Sequence, residues 1–495
     1  MIDNFIAGSV ALFGDPFTIG IFVFGVIGGM LFGAIPGVSM LTLAAILLPF
    51  TASLEPAQGV MLFAVIYCTG TYGGAITAIL FNIPGAPENA PTAFDGYPMT
   101  RKGQSGKAVG AAVLCSAIGG VTSAIVMMAA TEPLANWAIS NIGPPEIFAL
   151  VFFGLAVASS VGGRTLWKGW MSVLLGLLIA TIGQDPVGGI NRYNFGFSDL
   201  AAGIAFVPAI LGFFAVSEIF VQAEKKAIGM YEAPKLSLDF PTILELWTHK
   251  IAVVRSILVG FFCGILPGIG ATLAAFMGYG EAVRWSKNKE SFGKGNLEGV
   301  ISSETANNAA TGAAMIPLLA LGLPGGALTA MMVAVFQMHD LEPGPLVFYN
   351  SPDLIWIVFA AMFYANVSIL FIGLIETKTI LHLLKIPFQF LAPMILLLAS
   401  IGSYIGRGLV LDVMVMFISG IMGFLLRRSG YSIPGIVLGI ILGKIGEQNF
   451  AQGMQMVHYD LLEYLSRPIC LLLIVAGSLT LLAGIYKALS FSFKS

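Results

Sequence analysis

Residues 33–45 read GAIPGVSMLTLAA, and residues 264–275 read GILPGIGATLAA. Each stretch runs from an apolar segment through a Pro-Gly pair into a Thr-Leu-Ala-Ala run, Thr42–Ala45 in one and Thr272–Ala275 in the other. Proline lacks the N–H that a helix needs, and glycine adopts backbone angles that other residues avoid. Both stretches therefore predict helices broken at Pro36-Gly37 and at Pro267-Gly268. Each copy carries a second break downstream, Asn82-Ile-Pro84-Gly85 in the first and Gly322-Leu-Pro324-Gly325 in the second. Breaks that recur in matched pairs indicate an internal repeat rather than scattered kinks.

The rest of the chain supplies a membrane context. Of 495 residues, 57% are hydrophobic and 10% are charged, where soluble domains carry about 25% charged residues. Apolar segments fall near 18–50, 59–82, 108–130, 146–162, 169–183 and 200–220. They resume near 251–280, 299–337, 354–375, 388–405, 409–426, 432–443 and 468–486. Many are long enough to cross a bilayer, so an all-α polytopic integral membrane protein with about 10–12 transmembrane helices is expected. Continuous rather than alternating apolar runs exclude an outer-membrane barrel. No basic stripe suggests nucleic acid. Cys68, Cys115, Cys263 and Cys470 lie in apolar segments, where thiols act as small hydrophobes, so neither a disulfide nor a metal site is expected. The N-terminus lacks the basic start and cleavage site of a signal peptide.

Lys and Arg near span ends mark the cytoplasmic side. Residues 1–100 contain neither. Arg101, Lys102 and Lys107 place the 83–107 loop inside, and Lys225, Lys226, Lys235 and Lys250 do the same for 221–250. Arg192 dissents, lying in a loop that the alternation places outside. Segment 251–280 has basic residues on both flanks, and segment 18–50 has only Asp15 and Glu55. Segment 251–280 reads as re-entrant from inside and segment 18–50 as re-entrant from outside. The alternative is a pair of kinked spanning helices. Re-entrant copies entering from opposite sides make two inverted-topology repeats, the pattern of a secondary transporter with its site at the breaks. The chain divides into a first repeat with associated helices (1–220), a cytoplasmic linker (221–250), a second-repeat core (251–350) and C-terminal transmembrane helices (351–495).

Broken helices expose N-terminal N–H groups that attract anions and C-terminal carbonyls that hold cations. The expected substrate site comprises Pro36, Gly37, Ser39, Thr42, Asn82, Pro84, Gly85, Pro267, Gly268, Gly270, Thr272, Asn307, Asn308, Pro324 and Gly325. Thr77, Ser302, Glu304 and Thr311 are candidates for a coupling ion, Glu304 because acids within apolar stretches are costly and usually functional. No Lys or Arg is among these residues. An anionic substrate would then need a co-bound cation, with sodium the leading choice and a proton on Glu304 its rival. Asp95 falls in a polar loop, where a turn-stabilising role is expected. His249, His339, His382 and His458 fall in loops and read as solvated.

These motifs resemble the large membrane subunit of the tripartite tricarboxylate transporters. The resemblance rests on Gly33-Ala-Ile-Pro-Gly37, Tyr72-Gly-Gly74, Asn82-Ile-Pro-Gly85, Asp95-Gly-Tyr-Pro98, Gly143-Pro-Pro-Glu-Ile-Phe-Ala149 and Gly183-Gln-Asp-Pro186. It extends through Phe206-Val-Pro208, Leu266-Pro-Gly268, Glu304-Thr-Ala-Asn-Asn308, Gly322-Leu-Pro-Gly325 and Pro343-Gly-Pro345. Ala75 departs from it, standing where a serine is expected. The resemblance implies a multi-pass bacterial inner-membrane symporter for carboxylates, coupled to sodium or protons and without a cofactor. It implies two partners, a small four-helix membrane subunit and a periplasmic binding protein that delivers the substrate.

Two other readings compete. A one-component carboxylate or anion transporter would share the fold logic and lack the binding protein. An intramembrane enzyme would use Ser105 of Gly103-Gln-Ser-Gly106. However, Ser105 sits among Arg101, Lys102 and Lys107, with no histidine in an apolar span to serve as its base. A channel needs no repeated ligand-sized cage of Pro-Gly breaks.

Overall fold

The computed structural model describes residues 1–35, 38–161, 165–185, 188–224, 240–266, 270–383 and 388–492. Pro36, Gly37, Pro186, Pro267, Gly268, Lys225, Lys226 and Lys235 lie outside the described residues, as does the side chain of His382. The first repeat opens with helices α1 (Ile2–Gly14), α2 (Pro16–Ala34), α3 (Met40–Leu47), α4 (Pro56–Phe81) and α5 (Ala90–Arg101). Long α6 (Ser105–Asn141), α7 (Pro144–Val161) and α8 (Leu166–Ala180) follow. Then α9 (Phe206–Ile210) continues through a π-helical stretch, Leu211–Val216, into α10 (Ser217–Glu224). The second repeat contains α11 (Ile243–Thr248), α12 (Lys250–Ile265), α13 (Gly270–Trp285), α14 (Leu297–Leu321) and α15 (Ala327–Met338). The chain ends with α16 (Val347–Asn350), α17 (Pro352–Leu383), α18 (Phe388–Ile405), α19 (Val410–Arg428), α20 (Ile433–Met456), α21 (Leu461–Ser466) and α22 (Pro468–Ser492).

Among the described residues, seven helical stretches are long and apolar enough to cross a membrane: Pro16–Ala34, Pro56–Phe81, Ser105–Asn141, Phe206–Glu224, Pro352–Thr377, Val410–Arg428 and Pro468–Tyr486. With shorter apolar helices between them, they make an all-α, multi-pass integral membrane protein. The apolar run near 169–183 yields only the 15-residue α8. A short hairpin pairs Gly183 with Arg192. Arg192 forms a two-pronged bond with Glu447 at 2.5 and 3.0 Å. Arg407 and Arg467 likewise pair with Asp412 and Glu146. An acid thus neutralises the dissenting charge at Arg192. On the opposite side, Glu245 caps α11 and takes a hydrogen bond from Lys107 at 2.5 Å. That bond holds the Glu245 carboxyl below its ordinary value.

The two broken segments fold back on themselves. At 1.5 Å per residue, a straight helix would separate Cys263 from Met277 by about 20 Å. Their sulfurs lie 3.5 Å apart, so α13 returns along α12. In the first copy a Cβ built on Gly28 would lie 3.3 Å from Leu43 Cδ2, so α3 returns along α2. Each hairpin packs on the long helix that follows it, α2 on α4 and α12 on α14, and small residues set the approach. A Cβ on Gly33 would lie 2.3 Å from the Gly70 carbonyl oxygen, and one on Gly264 would lie 2.5 Å from that of Ala310.

The long helices end alike. Asn82 (φ 57°) and Gly322 (φ 74°) close α4 and α14 in the left-handed conformation. Ile83 N–H then reaches the Thr77 carbonyl at 3.3 Å, and Leu323 N–H reaches that of Pro317 at 3.1 Å. This six-residue closure satisfies carbonyls that the helix end leaves free. Beyond the caps, both Pro-Gly turns fold back against their own hairpins. A Cβ on Gly85 would lie 1.9 Å from Gly33 O, and one on Gly325 would lie 3.0 Å from Gly264 O.

The polar loop expected at 83–107 is corrected. It forms a 3-10 turn, Pro87–Asn89, and then α5, with Glu88, Asn89, Thr92 and Asp95 all buried. Asp95 is no surface turn residue. It accepts hydrogen bonds from Tyr279 Oη at 2.9 Å and from the Gly295 and Asn296 N–H groups at 2.8 Å each. It thereby pins the start of α14 to α5. His339 is also less open than expected, with a buried Nε2.

Candidate substrate and ion site

The centre of the molecule is α14, whose polar run Ser302–Asn308 is fully enclosed. Hydropathy alone would place this run at a surface, yet neighbouring helices supply partners for most of it. Thr92 of α5 donates a short hydrogen bond to Glu304 Oε1. Ser116 of α6 donates to Glu304 Oε2 at 2.9 Å. Asn307 donates weakly to Glu304 Oε1 at 3.4 Å and, as a second bond, to the Glu88 carbonyl at 3.4 Å. Asn308 Nδ2 donates to Asn307 Oδ1 at 2.8 Å. Thr272 of α13 donates to Glu88 Oε2 at 3.4 Å. The turn after Pro84-Gly85 is thus tied to two helices of the second unit.

Several oxygens here remain unmatched. Among the described residues, Glu88 Oε1, Asn89 Oδ1, Asn308 Oδ1 and Ser302 Oγ are buried without a hydrogen-bond partner. A buried polar atom left unpaired costs about 1–3 kcal/mol. Carboxylate and amide oxygens lacking donors are the ligand type that hard cations prefer. Glu376 of α17 is also buried with neither oxygen paired. It stands near Gly373, whose carbonyl accepts from Tyr72 Oη at 3.2 Å.

The two units meet where Cys68 Sγ of α4 lies 3.9 Å from Thr311 Oγ1 of α14. Thr311 also donates to the Asn308 carbonyl at 2.8 Å. The second break is snug: Pro324 and Gly325 are buried, and a Cβ on Gly326 would lie 3.8 Å from Gly270 Cα and 3.9 Å from Tyr67 Oη. Gly270 itself has φ 58°, so glycine is required at the first residue of α13.

The first break instead borders a cavity of about 670 Å³. Ser39 and Met40 at the start of α3 line one wall, and the 83–88 turn lines another. Phe214, Glu218 and Gln222 of α9–α10 and Arg427–Pro434 around the end of α19 complete it. Drug-sized ligands occupy cavities of roughly 300–1,000 Å³. The π-helical stretch before Ser217 forms part of this wall, and such stretches recur at functional sites.

Not every expected residue plays the part assigned from sequence. Ser39, Pro84 and Gly85 line the cavity. Thr272, Glu304, Asn307, Asn308 and Thr311 belong to the central cluster, and Ser302 is buried within the same run of α14. Thr42 is buried in α3. Thr77 serves the cap of α4 through its carbonyl, and its hydroxyl turns back to Gly74 at 3.4 Å. Asn82 does not line the cavity. It is the left-handed cap residue, and that backbone role explains an asparagine there. Sequence reasoning missed Glu88, Asn89, Thr92, Ser116 and Arg427. Glu88 and Asn89 had a signal, an acid-amide pair just after the second break, but they read as part of a cytoplasmic loop.

Comparison with known proteins identifies the lineage. Residues 19–438 match the model of the "Tripartite tricarboxylate transporter TctA family". Two relatives come from Agrobacterium vitis. The "Uncharacterized 52.8 kDa protein in TAR-I ttuC' 3'region" is 35% identical over 460 residues, covering 92% of this chain and 90% of its own length. The "Uncharacterized protein in TAR-II ttuC' 3'region" is 35% identical over 218 residues, covering 44% of this chain and 90% of its own length. No solved structure matches significantly. The chain belongs to the TctA family, the large membrane component of tripartite tricarboxylate transporters.

Proposed function

We propose that this chain carries a di- or tricarboxylate inward across the bacterial inner membrane, with sodium moving alongside it. A periplasmic binding protein delivers the substrate, and a small membrane subunit of about four helices completes the translocating unit, as the family's tripartite organisation implies. The observation that carries the reading is the buried cluster around Glu304, where the turn after the first break meets the second unit.

The directions of the two units support an inverted repeat. Thr100 of α5 donates to the Ile79 carbonyl near the end of α4, at 2.8 Å. Asp95, one turn earlier, receives the N–H groups that open α14. The end of α4 and the start of α14 therefore share a level, and these matched helices run in opposite directions. Gly33 reaches α4 at Gly70, Gly264 reaches α14 at Ala310, and Cys68 touches Thr311 nearby. Gly33 and Gly264, near the ends of α2 and α12, thus approach one depth, which is where an alternating-access carrier keeps its site.

Charge supports the cation. A dicarboxylate or tricarboxylate brings two or three negative charges, and each helix end offers only about half a charge. The central cluster adds Glu304 and Glu88 and no Lys or Arg. A cation held by the unmatched oxygens would offset the excess. A proton on Glu304 is the rival. Reconstituted vesicles separate them. An imposed sodium gradient at equal pH is expected to drive accumulation of radiolabelled carboxylate. Accumulation driven only by a pH gradient would replace sodium with the proton. Accumulation needing neither would remove symport.

A further inference from the structure

Arg427 stands in the last turn of α19, and its guanidinium is paired with Glu218 of α10 at the wall of the cavity beside the first break. Among the described lining residues it is the one cation. Glu88 and Glu218 are the acids, and Ser39, Gln222, Tyr431 and Ser432 bring hydroxyls and an amide. The helices that flank the first break, α2 and α3, contain no basic residue to meet an anion. Resting on the transport reading above, we propose that Arg427 receives a carboxylate group of the substrate in this cavity, and that Glu218 takes that place while the cavity is empty.

Three observations support this exchange. A guanidinium presents a planar fork that matches a carboxylate in two-pronged fashion, so one carboxylate substitutes for another without new geometry. The pair is partly hydrated, with side-chain exposures of 32% for Arg427 and 15% for Glu218. Partly exposed pairs hold each other weakly, which keeps the partner exchangeable. Glu218 also has a second anchor. Gln222 Nε2 donates to its Oε1 at 2.8 Å, whereas Arg427 takes Oε2. When a substrate carboxylate displaces Oε2, Glu218 stays tethered through Oε1.

Position completes the case. Arg427 and Arg428 end α19 on the side where Lys168 of α8 reaches the Ser429 carbonyl at 2.7 Å. By the positive-inside rule this is the cytoplasmic side. Another wall is the start of α3, where Ser39 makes no side-chain cap and the helix N-terminus attracts an anion. A carboxylate at one end of a di-acid can thus face Arg427 while the other faces the start of α3.

The test measures uptake of radiolabelled citrate and succinate by vesicles holding the chain with its two partner proteins. The variants are Arg427→Gln, Arg427→Lys, Glu218→Gln and the double variant E218Q/R427Q, each normalised to its amount in the membrane. Arg427→Gln is expected to raise KM at least tenfold, and Arg427→Lys to raise it less, because an ammonium keeps the charge and loses the fork. Glu218→Gln is expected to lower KM several-fold by removing the competitor. The double variant is expected to remain as defective as Arg427→Gln. Recovery of wild-type KM in the double variant would show a merely structural pair and overturn the proposal, as would a wild-type KM in Arg427→Gln. If Arg427→Gln fails to enter the membrane, Arg427→Lys and Glu218→Gln decide: KM shifts in opposite directions support the proposal, and unchanged KM in both overturns it. Failure of the wild-type chain to accumulate either acid would overturn the transport reading and this proposal together. Uptake by the wild type with unaltered KM in every variant would overturn this proposal alone.

Discussion

Counted back from their left-handed caps, Asn82 and Gly322, the two long helices place Tyr67 where the other has Asn307, Cys68 where it has Asn308, and Ala64 where it has Glu304. Thr71 and Thr311 correspond, as do Gly70 and Ala310. The frames are alike: hairpin, long helix, left-handed cap, Pro-Gly turn folded back on the hairpin. The equipment differs. The first unit keeps α4 almost apolar and opens its break onto a cavity. The second closes its break and gathers its acid and amides in the middle of α14. Repetition packs Gly33 on α4 and Gly264 on α14 in the same way, and divergence assigns the cavity to one unit and the central acid to the other.

The largest effect expected from breaking this division is at Glu304. Glu304→Gln preserves shape and removes the charge, and uptake is expected to fall at least a hundredfold with the protein still in the membrane. That corresponds to about 2.7 kcal/mol, within the range for losing a buried charged hydrogen-bonded group. Wild-type uptake in this variant would return Glu304 to a packing role and leave α14 no more specialised than α4.

A matched pair of glycine substitutions sharpens the comparison. The Cβ of Gly85→Ala would meet Gly33 O at 1.9 Å, which forces the turn away from its hairpin. The Cβ of Gly325→Ala would meet Gly264 O and Ala314 at 3.0 Å, so a smaller shift suffices. Overpacking of the first kind costs about 1–3 kcal/mol. Gly85→Ala is expected to lower the thermal midpoint of the detergent-purified chain clearly more than Gly325→Ala. Equal shifts would mean that the two turns are equally accommodating.

The smallest effect is expected at Asn82. A left-handed residue other than glycine or asparagine costs about 1–2 kcal/mol. Asn82→Gly is therefore expected to leave both stability and KM near wild type, while Asn82→Ala costs stability and leaves KM unchanged. A raised KM in Asn82→Gly would restore the amide to the substrate site.

Much of the frame was legible in the letters. The matched Pro-Gly stretches marked segments that fold back as hairpins, and the apolar runs gave the membrane helices. What hydropathy could not register was partnership across the chain. The segment after Gly85 looked like a solvated loop because Glu88, Asn89, Thr92 and Asp95 are polar. They are buried because Thr272, Tyr279, Glu304 and the start of α14 satisfy many of their polar groups. Asn82 looked like a ligand because its backbone angle is invisible in sequence. Arg427 drew no notice in the sequence because only packing brings α19 to the first break.

Calorimetric titration of a carboxylate into the purified chain, in sodium and then in potassium at equal ionic strength, tests the central claim most directly. The account predicts that sodium tightens binding at least tenfold in the wild type and has no such effect in Glu304→Gln. Equal affinity in both salts, or full sodium dependence retained without the Glu304 charge, would contradict it.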